Sequence, residues 1–211
     1  HNIIRTIPQN SQICLFSATM PQEILDLTTN FMKDPEKLLI NKEELTLEGI
    51  RQFYVDLKQY KWKYDVLLDI YETINITQSI IYVNSKNMLN ILNERLLNEN
   101  YPISYIHGDM DQTTREKNLS DFKNGKTRIL LSTDLLARGI DIQQLSLVIN
   151  FDLPREKETY IHRIGRSGRY GRKGVAINFV TDEDIGKLKE LESYYNTNIE
   201  VMPQNLGDHL I

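Results

Sequence analysis

From about residue 50 onward, short runs of β-branched and aromatic residues alternate with amphipathic stretches. The short runs predict strands over residues 51–57, 79–84, 103–107, 127–133, 145–151 and 174–180. Between them, apolar residues recur at helical spacing, which predicts helices over 64–74, 87–97, 112–123 and roughly 182–195. This alternation is typical of β-α units arranged around a parallel sheet. The sequence therefore predicts an α/β fold in which helices flank a parallel sheet.

Residues 1–40 form a separate piece of the pattern. Residues 13–16 read as a buried strand, and a helix is predicted to begin near Pro21. The polar stretch NKEELTLEG, residues 41–49, is the candidate linker, which leaves 50–211 as the main domain. Because the chain opens without a methionine and in the middle of a fold, we expect it to be a fragment. A strand cut from its sheet exposes an unpaired edge, so we expect the first segment to be disordered or packed on a neighbouring molecule.

Composition narrows the class of protein. The 211 residues are 40% hydrophobic and 26% charged, with a formal net charge of −4, which is ordinary for a soluble globular protein. No apolar run reaches the roughly 18 residues of a membrane span, so we expect a cytoplasmic or nuclear protein. Cys14 is the single cysteine and the four histidines are scattered, so neither a disulfide nor a metal site is expected. Given the acidic balance, binding to nucleic acid requires a local basic patch.

Polar residues follow the predicted strands at their carboxyl ends. In chain order they are Asn84, Ser85, His107, Gly108, Asp109, Ser132, Thr133, Asp134 and Asp152. Ligands of open α/β sheets bind in the crevice beyond these ends, so the residues are candidates for one binding site. The simpler alternative is that Asp109, Thr133 and Asp134 cap helices.

Residues 160–174, YIHRIGRSGRYGRKG, gather arginines and glycines in one stretch. Glycine costs roughly 1 kcal/mol inside a helix relative to alanine, so its recurrence every three positions argues against a solvated helix face. Arginine presents a planar fork of donors that suits a triphosphate, and Arg166 and Arg169 can project to the same side. The alternatives are a nuclear-localisation patch or a nonspecific RNA patch, which predict basic residues in looser order.

The chain carries no complete phosphate loop of its own. The nearest match, SDFKNGKT at 120–127, has Ser120 where the first glycine belongs. It also leads from a helix into a strand, whereas a phosphate loop leads from a strand into a helix. We therefore do not expect the chain alone to hydrolyse a nucleoside triphosphate. The arginines are better explained as part of a site on another domain, since an arginine finger contributes roughly 10³ to 10⁵ in rate.

Five motifs stand in order along the chain. They are SAT at 17–19, SIIYVNS at 79–85, HGDM followed by Gln112 and Arg115, STDLLARGID at 132–141 and HRIGRSGR at 162–169. With these motifs the chain resembles the C-terminal RecA-like domain of DEAD-box RNA helicases over essentially its whole length. DLLARGIDIQQLSLVINFDLP resembles the initiation factor 4A branch, while Trp62 and GRSGRYGR resemble the exon-junction branch; we favour the first and keep the second as the alternative. The family's phosphate loop, adenine-recognising motif and Asp-Glu-Ala-Asp box precede SAT, so residues 1–40 resemble the tail of the first RecA-like domain.

The resemblance implies a role for each motif. The arginine fingers would be Arg166 and Arg169, Asp141 would bond the ATP ribose, and Gly139 would let the backbone approach the nucleotide. The RNA sugar-phosphate backbone would be held by Ser85, Gly108, Asp109, Arg115, Thr133 and Asp134. The two domains would be coupled by Ser17, Thr19 and His162. ATP and Mg²⁺ would be bound mainly by the N-terminal RecA-like domain, and the implied partners are RNA, that domain and a scaffold protein of the initiation-factor type, with no membrane.

Two classes of function fit these residues. The first is half of an ATP-driven enzyme that unwinds RNA duplexes, in which closure of two domains completes the hydrolytic site. The second is a noncatalytic module that docks RNA or a scaffold protein. The GIDI segment and the arginine run favour the enzyme, because docking alone has no use for arginine fingers or a ribose-binding aspartate. An unrelated phosphate-binding α/β protein would need the complete phosphate loop that the sequence lacks.

Overall fold

The computed structural model describes residues 6–8, 10–17, 20, 22–39, 49–134, 145–167 and 174–209. The chain divides into two compact units, His1–Glu44 and Leu45–Ile211. Within the described ranges, no helix is both long enough and apolar enough to cross a membrane.

The first unit contains the α-helix α1 (Gln22–Thr28), which confirms the helix predicted to begin near Pro21. The strand predicted over 13–16 is wrong, because these residues have no regular secondary structure and Phe16 is 92% exposed. An apolar run forms a strand only where another strand accepts its hydrogen bonds. The proposed linker, apart from Gly49, lies outside the described residues.

The second unit is built on one parallel sheet, with seven strands within the described ranges. The strands are β1 (Ile50–Lys58), β2 (Ser79–Tyr82), β3 (Ile103–Ile106), β4 (Ile129–Ser132), β5 (Leu147–Asn150), β6 (Gly174–Thr181) and β7 (Glu200–Val201). Their order across the sheet is β3-β4-β2-β5-β6-β1-β7, and all neighbouring pairs are parallel. The predicted fold class and all six predicted strands are confirmed. The two-residue β7 was not predicted, because it is too short to show a pattern.

Helices connect the strands of the second unit. Among the described residues they are α2 (Lys63–Thr73), α3 (Lys86–Asn98), α4 (Gln112–Lys123), α5 (Lys157–Ile164) and α6 (Ile185–Tyr195), with 3₁₀ helices over Tyr60–Trp62 and Leu206–His209. The four predicted helices are confirmed. The expectation of a non-helical 160–174 is wrong over its first five residues, which belong to α5. The glycines begin only at Gly165, where the helix ends, so the eight residues of α5 contain none.

Apolar residues cover both faces of the sheet. The strands β2, β4, β5 and β6 are buried at every position, as expected of parallel strands covered on both sides. On one face, Ile81 belongs to a core cluster with Leu67 of α2 and Leu89 of α3. On the other face, Ile80 lies in a cluster with Phe122 of α4, while residues of α5 and α6 form a further cluster with β6. The core thus lies on both faces of the sheet, between the strands and the helices.

Candidate functional site

Four strands end side by side at one edge of the sheet. Ser132 at the end of β4 is the register partner of Ile106 on β3 and of Tyr82 on β2, and Tyr82 is also the partner of Asn150 on β5. We call this edge the carboxyl edge. The residues that follow these strand ends are Asn84, Ser85, His107, Gly108, Asp109, Thr133, Asp134 and Asp152. Parallel pairing therefore brings the predicted site residues of these turns to one edge.

Arg163 on α5 is fully buried at the carboxyl edge and joins several of its parts. Its Nε donates to Oδ1 of Asp134 at 2.5 Å, and its Nη2 donates to Oδ1 of Asn84 at 2.8 Å. Its Nη1 donates to the backbone oxygen of Asp152 at 2.6 Å and to Oδ1 of Asn150 at 3.1 Å. A buried charge is tolerated only when it is paired in this way. The guanidinium therefore fixes α5 against the end of β5 and against the turns after β2 and β4.

Arg163 lies within HRIGRSGR but was not among the residues predicted for the site. One feature of the sequence could have pointed to a buried arginine. The residues predicted at the ends of the strands carry several oxygen acceptors, and buried acceptors require a donor. Asp134, predicted to contact RNA, uses its carboxylate on Arg163. The helix-cap alternative is wrong for Asp109, because the cap of α4 is Asp111.

Arg166 follows α5 and stays near the carboxyl edge. Its Nε donates to the backbone oxygen of His162 at 3.1 Å. Burial raises the pKa of Tyr82 to about 12, and the charges of Arg166 and Arg163 oppose that rise. At Gly165 a Cβ atom would lie 2.7 Å from the carbonyl oxygen of the residue four positions earlier, so a side chain is excluded there. The glycine thus permits the close turn that leads to Arg166.

Two helices begin at the carboxyl edge. Ser85 is the N-cap of α3, where its Oγ accepts a hydrogen bond from the backbone N–H of Met88 at 3.1 Å. Asp111 is the N-cap of α4 and accepts from the N–H of Thr114 at 2.8 Å, which lowers the pKa of the Asp111 carboxyl. The N-terminus of a helix carries partial positive charge, so both helix starts favour an anion at this edge.

Two cations lie beside these helix starts. Nζ of Lys86, the first residue of α3, is 2.7 Å from Oδ2 of Asp109 and holds the pKa of that carboxyl below its usual value. Nη2 of Arg115 donates to the backbone oxygens of Gly108 and Met110, each at 3.1 Å. The structure therefore brings together the predicted residues of the HGDM segment and Arg115. Lys86 was missed, although a cation in the first turn of a helix opposes the helix dipole and so suggests a role other than helix stability.

His107 lies beneath this part of the edge. It is buried, and its Nδ1 contacts no hydrogen-bond partner among the described residues. Burial and the nearby charge of Lys86 lower the pKa of the imidazole, with Arg115 acting in the same direction. The lowered pKa favours the neutral imidazole over its charged form.

For the remaining predicted residues, the structure gives few contacts or does not describe them. The backbone oxygen of Thr133 accepts from Oγ of Ser132 at 2.9 Å. Ser17 lies in the first unit outside regular secondary structure, and His162 is half-buried on α5. Thr19, Gly139, Asp141 and Arg169 lie outside the described residues. The match SDFKNGKT belongs to the end of α4 and to the turn before β4, in agreement with its rejection as a phosphate loop.

A line of buried hydrogen bonds extends from the carboxyl edge across the sheet. Asn150, an acceptor of the buried guanidinium, donates its Nδ2 to Oδ1 of Asn178 on β6 at 2.8 Å. Asn178 donates to the hydroxyl of Tyr160 at 3.2 Å, and that hydroxyl donates to Oε1 of Gln52 on β1 at 2.9 Å. Gln52 donates to Oγ1 of Thr197 at 2.9 Å. We call these five residues the polar chain.

Comparison with known proteins agrees with the fold. The family described as "Helicase conserved C-terminal domain" matches residues 62–171. "Eukaryotic initiation factor 4A" of Cryptosporidium parvum is 56% identical over 210 residues, which are 100% of this chain and 52% of the relative. "ATP-dependent RNA helicase eIF4A" of Meyerozyma guilliermondii is 53% identical over 208 residues, 99% of this chain and 52% of the relative. Among solved structures, Saccharomyces cerevisiae Dbp5 bound to RNA and ADP BeF3 has a TM-score of 0.90 at 36% identity, covering 98% of this chain and 55% of that one.

The parallel sheet and these matches agree, and the chain belongs to the family of helicase conserved C-terminal domains. The chain spans about half the length of the curated relatives it matches. Within the family, its sequence is of the initiation factor 4A type, which confirms the predicted resemblance to DEAD-box helicases.

Proposed function

We propose that the chain is the C-terminal half of an ATP-dependent DEAD-box RNA helicase that unwinds RNA duplexes in translation initiation. The observation that carries this proposal is the buried guanidinium of Arg163, which joins the turns after β2, β4 and β5 to the helix that leads to Arg166. A phosphate-binding arginine and the RNA-facing turns are thereby held on one rigid edge. The names of the relatives support the same class of enzyme.

On the nucleotide side, the proposal assigns Arg166 and Arg169 as arginine fingers, Asp141 as the partner of the ribose and Gly139 as the point of close backbone approach. The fingers would stabilise the charge that develops on the transferring phosphoryl group. Among the described residues, no group of three histidines, cysteines or acids could hold a metal ion. On the resemblance to the family, the proposal assigns ATP and its Mg²⁺ mainly to the N-terminal RecA-like domain.

On the RNA side, the proposal assigns the starts of α3 and α4 and the residues beside them. The proposed contacts are Ser85, Gly108, Asp109, Arg115, Thr133 and Asp134, with Lys86 added from its position beside Asp109. Because the carboxylate of Asp134 is used by Arg163, this residue would offer RNA its backbone rather than its side chain. Hydroxyls, backbone groups and cations bind phosphates without reading bases, so binding should be independent of sequence and sensitive to salt.

The remaining assignments concern the whole protein. Residues 1–40 are proposed as the tail of the first RecA-like domain and 41–49 as the linker, with Ser17, Thr19 and His162 coupling the two domains. The proposed partners are single-stranded or duplex RNA, the N-terminal domain and a scaffold protein of the initiation-factor type. A cytoplasmic location is proposed on the same resemblance.

The test is ATP hydrolysis by the chain joined to its N-terminal RecA-like domain, with and without single-stranded RNA. We expect RNA to stimulate turnover, and we expect Arg166→Ala to lower that turnover by a hundredfold or more, about the value of an arginine finger. The matched control is Arg128→Ala, because Arg128 is exposed and precedes β4 at the opposite edge of the sheet. If neither RNA nor Arg166→Ala changes the turnover, the result would instead favour the noncatalytic interaction module.

A further inference from the structure

Lys63 is a buried lysine, and it lies outside the motifs that form the carboxyl edge. It is the first residue of α2, and its side chain is only 2% exposed. Its Nζ donates to the backbone oxygen of Phe151 at 2.6 Å and to Oδ1 of Asp152 at 3.1 Å. It also lies 4.4 Å from the centroid of the Tyr60 ring. Because removing an ammonium from water is costly, a buried lysine with these partners calls for an explanation.

The carboxylate of Asp152 connects Lys63 to the carboxyl edge. Its Oδ1 also accepts from the Tyr60 hydroxyl at 3.0 Å, and its Oδ2 accepts from the backbone N–H of Asn84 at 3.0 Å. Its backbone oxygen accepts from Nη1 of Arg163 at 2.6 Å. One residue at the end of β5 therefore contacts the turn after β2 with its side chain and α5 with its backbone.

Asn84 receives this contact immediately before the start of α3. Its Oδ1 accepts from Arg163, and its Nδ2 donates to the backbone oxygen of Leu153 at 2.8 Å. The next residue, Ser85, is the cap of α3 and one of the proposed RNA contacts. With its backbone N–H and both side-chain atoms bonded, Asn84 sets the position from which Ser85 meets RNA.

We propose that Lys63 is a positioning residue of the RNA site, which acts through Asp152 on the turn that carries Ser85. This inference rests on the proposed function, and it goes beyond it by assigning a residue outside the motifs. The ammonium holds one oxygen of the carboxylate, so that the other oxygen faces the N–H of Asn84. Without the ammonium, Oδ1 keeps only the Tyr60 hydroxyl as a donor among the described residues, so the carboxylate is held less firmly and the turn loses part of its orientation.

The test uses Lys63→Met in the chain joined to its N-terminal domain, because methionine keeps the volume of the side chain and removes the charge. We expect the RNA concentration for half-maximal ATP hydrolysis to rise about tenfold, since small displacements of positioned groups are costly. The ATP concentration for half-maximal rate should change less than about threefold, because the nucleotide contacts lie elsewhere. Lys61→Met, two residues away at an exposed position, is the matched control and should leave both values unchanged.

Asp152→Asn is the second variant, and it keeps the proposal testable if Lys63→Met fails to fold. It should also raise the RNA concentration for half-maximal ATP hydrolysis. The double variant should bind RNA better than Lys63→Met, because it no longer leaves a carboxylate without its ammonium. In NMR spectra of the 211-residue chain, the chemical shift of the Asn84 backbone amide should change in Lys63→Met and stay the same in Lys61→Met. A folded Lys63→Met with unchanged RNA dependence overturns the positioning role, whereas a wild-type protein without RNA-stimulated turnover overturns the proposed function.

Discussion

Replacing Arg163 with methionine removes a fully buried guanidinium while keeping an unbranched side chain of moderate size. The change deletes the hydrogen bonds to Asp134, Asn84, Asn150 and the backbone of Asp152. It leaves the Oδ1 of the fully buried Asn150 without the donor that Arg163 supplied, and Asp134 without its ion-pair partner. The substitution therefore tests whether these contacts stabilise the carboxyl edge.

The expected loss follows from the burial of each partner. Removing one member of a buried ion pair costs about 3 to 5 kcal/mol, and each buried acceptor left unsatisfied costs about 1 to 3 kcal/mol. These costs are not additive, because the acceptors belong to one network. Asp134 is 35% exposed, so water compensates part of its lost partner. We expect Arg163→Met to lower the free energy of unfolding by about 3 to 5 kcal/mol.

Urea denaturation followed by tryptophan fluorescence measures this loss in the second unit, because Trp62 is the single tryptophan of the chain. Arg163→Lys should lie between the wild type and the methionine variant, since lysine keeps the charge but cannot reproduce the planar fork of donors. Arg128→Met, at an exposed position, should change the free energy by less than about 0.5 kcal/mol. A loss below about 1 kcal/mol for Arg163→Met would refute the reasoning, because it would mean that the buried acceptors find other donors.

Three further predictions concern single contacts. Ser85→Ala should lower the free energy of unfolding by about 1 kcal/mol and Ser85→Gly by a few tenths, measured by urea denaturation, because alanine cannot accept the cap hydrogen bond from Met88; equal losses would contradict this. Tyr160→Phe should cost about 1 to 3 kcal/mol in the same assay by leaving Gln52 without its buried donor, and a neutral effect would contradict it. The pKa of His107 should lie below 6.5 when measured by NMR titration. Its contribution to stability should be complete above the unfolded pKa of about 6.5 and lost as the pH falls below it, because the unfolded state takes up the proton first. A measured pKa at or above 6.5 would contradict burial as the dominant cause.

The sequence predicts the sheet of the second unit well because its central strands are covered on both faces. Such strands must be apolar at nearly every position, so β2, β4 and β5 appear as short continuous runs. Residues 13–16 look the same in the sequence but form no strand, because strand formation also depends on a neighbour that a local pattern does not contain. The helix α5 was missed for a different reason, since the glycines that follow it dominate the pattern of the whole stretch.

The site is predicted less completely than the fold. The turns after the strands follow from topology alone, because parallel strands bring their carboxyl ends to one edge. The burial of Arg163 and Lys63 does not follow from the sequence, because charged residues are usually exposed and the acceptors that permit their burial come from distant positions. Asp152, by contrast, was visible as a strand-end residue, but only its contacts reveal what it holds.

The polar chain has a consequence for how the sheet assembles. Asn150 and Asn178 are direct register partners on β5 and β6. If β6 slid by one residue, the apolar neighbours of Asn178 would face Asn150, and the two buried amides would lose the hydrogen bond between them. Apolar strands alone tolerate such slippage more readily, because one buried aliphatic side chain substitutes well for another. These two asparagines therefore favour one alignment of the strands and penalise the neighbouring ones, so Asn150, which accepts from the buried Arg163, also helps to select the register of the sheet.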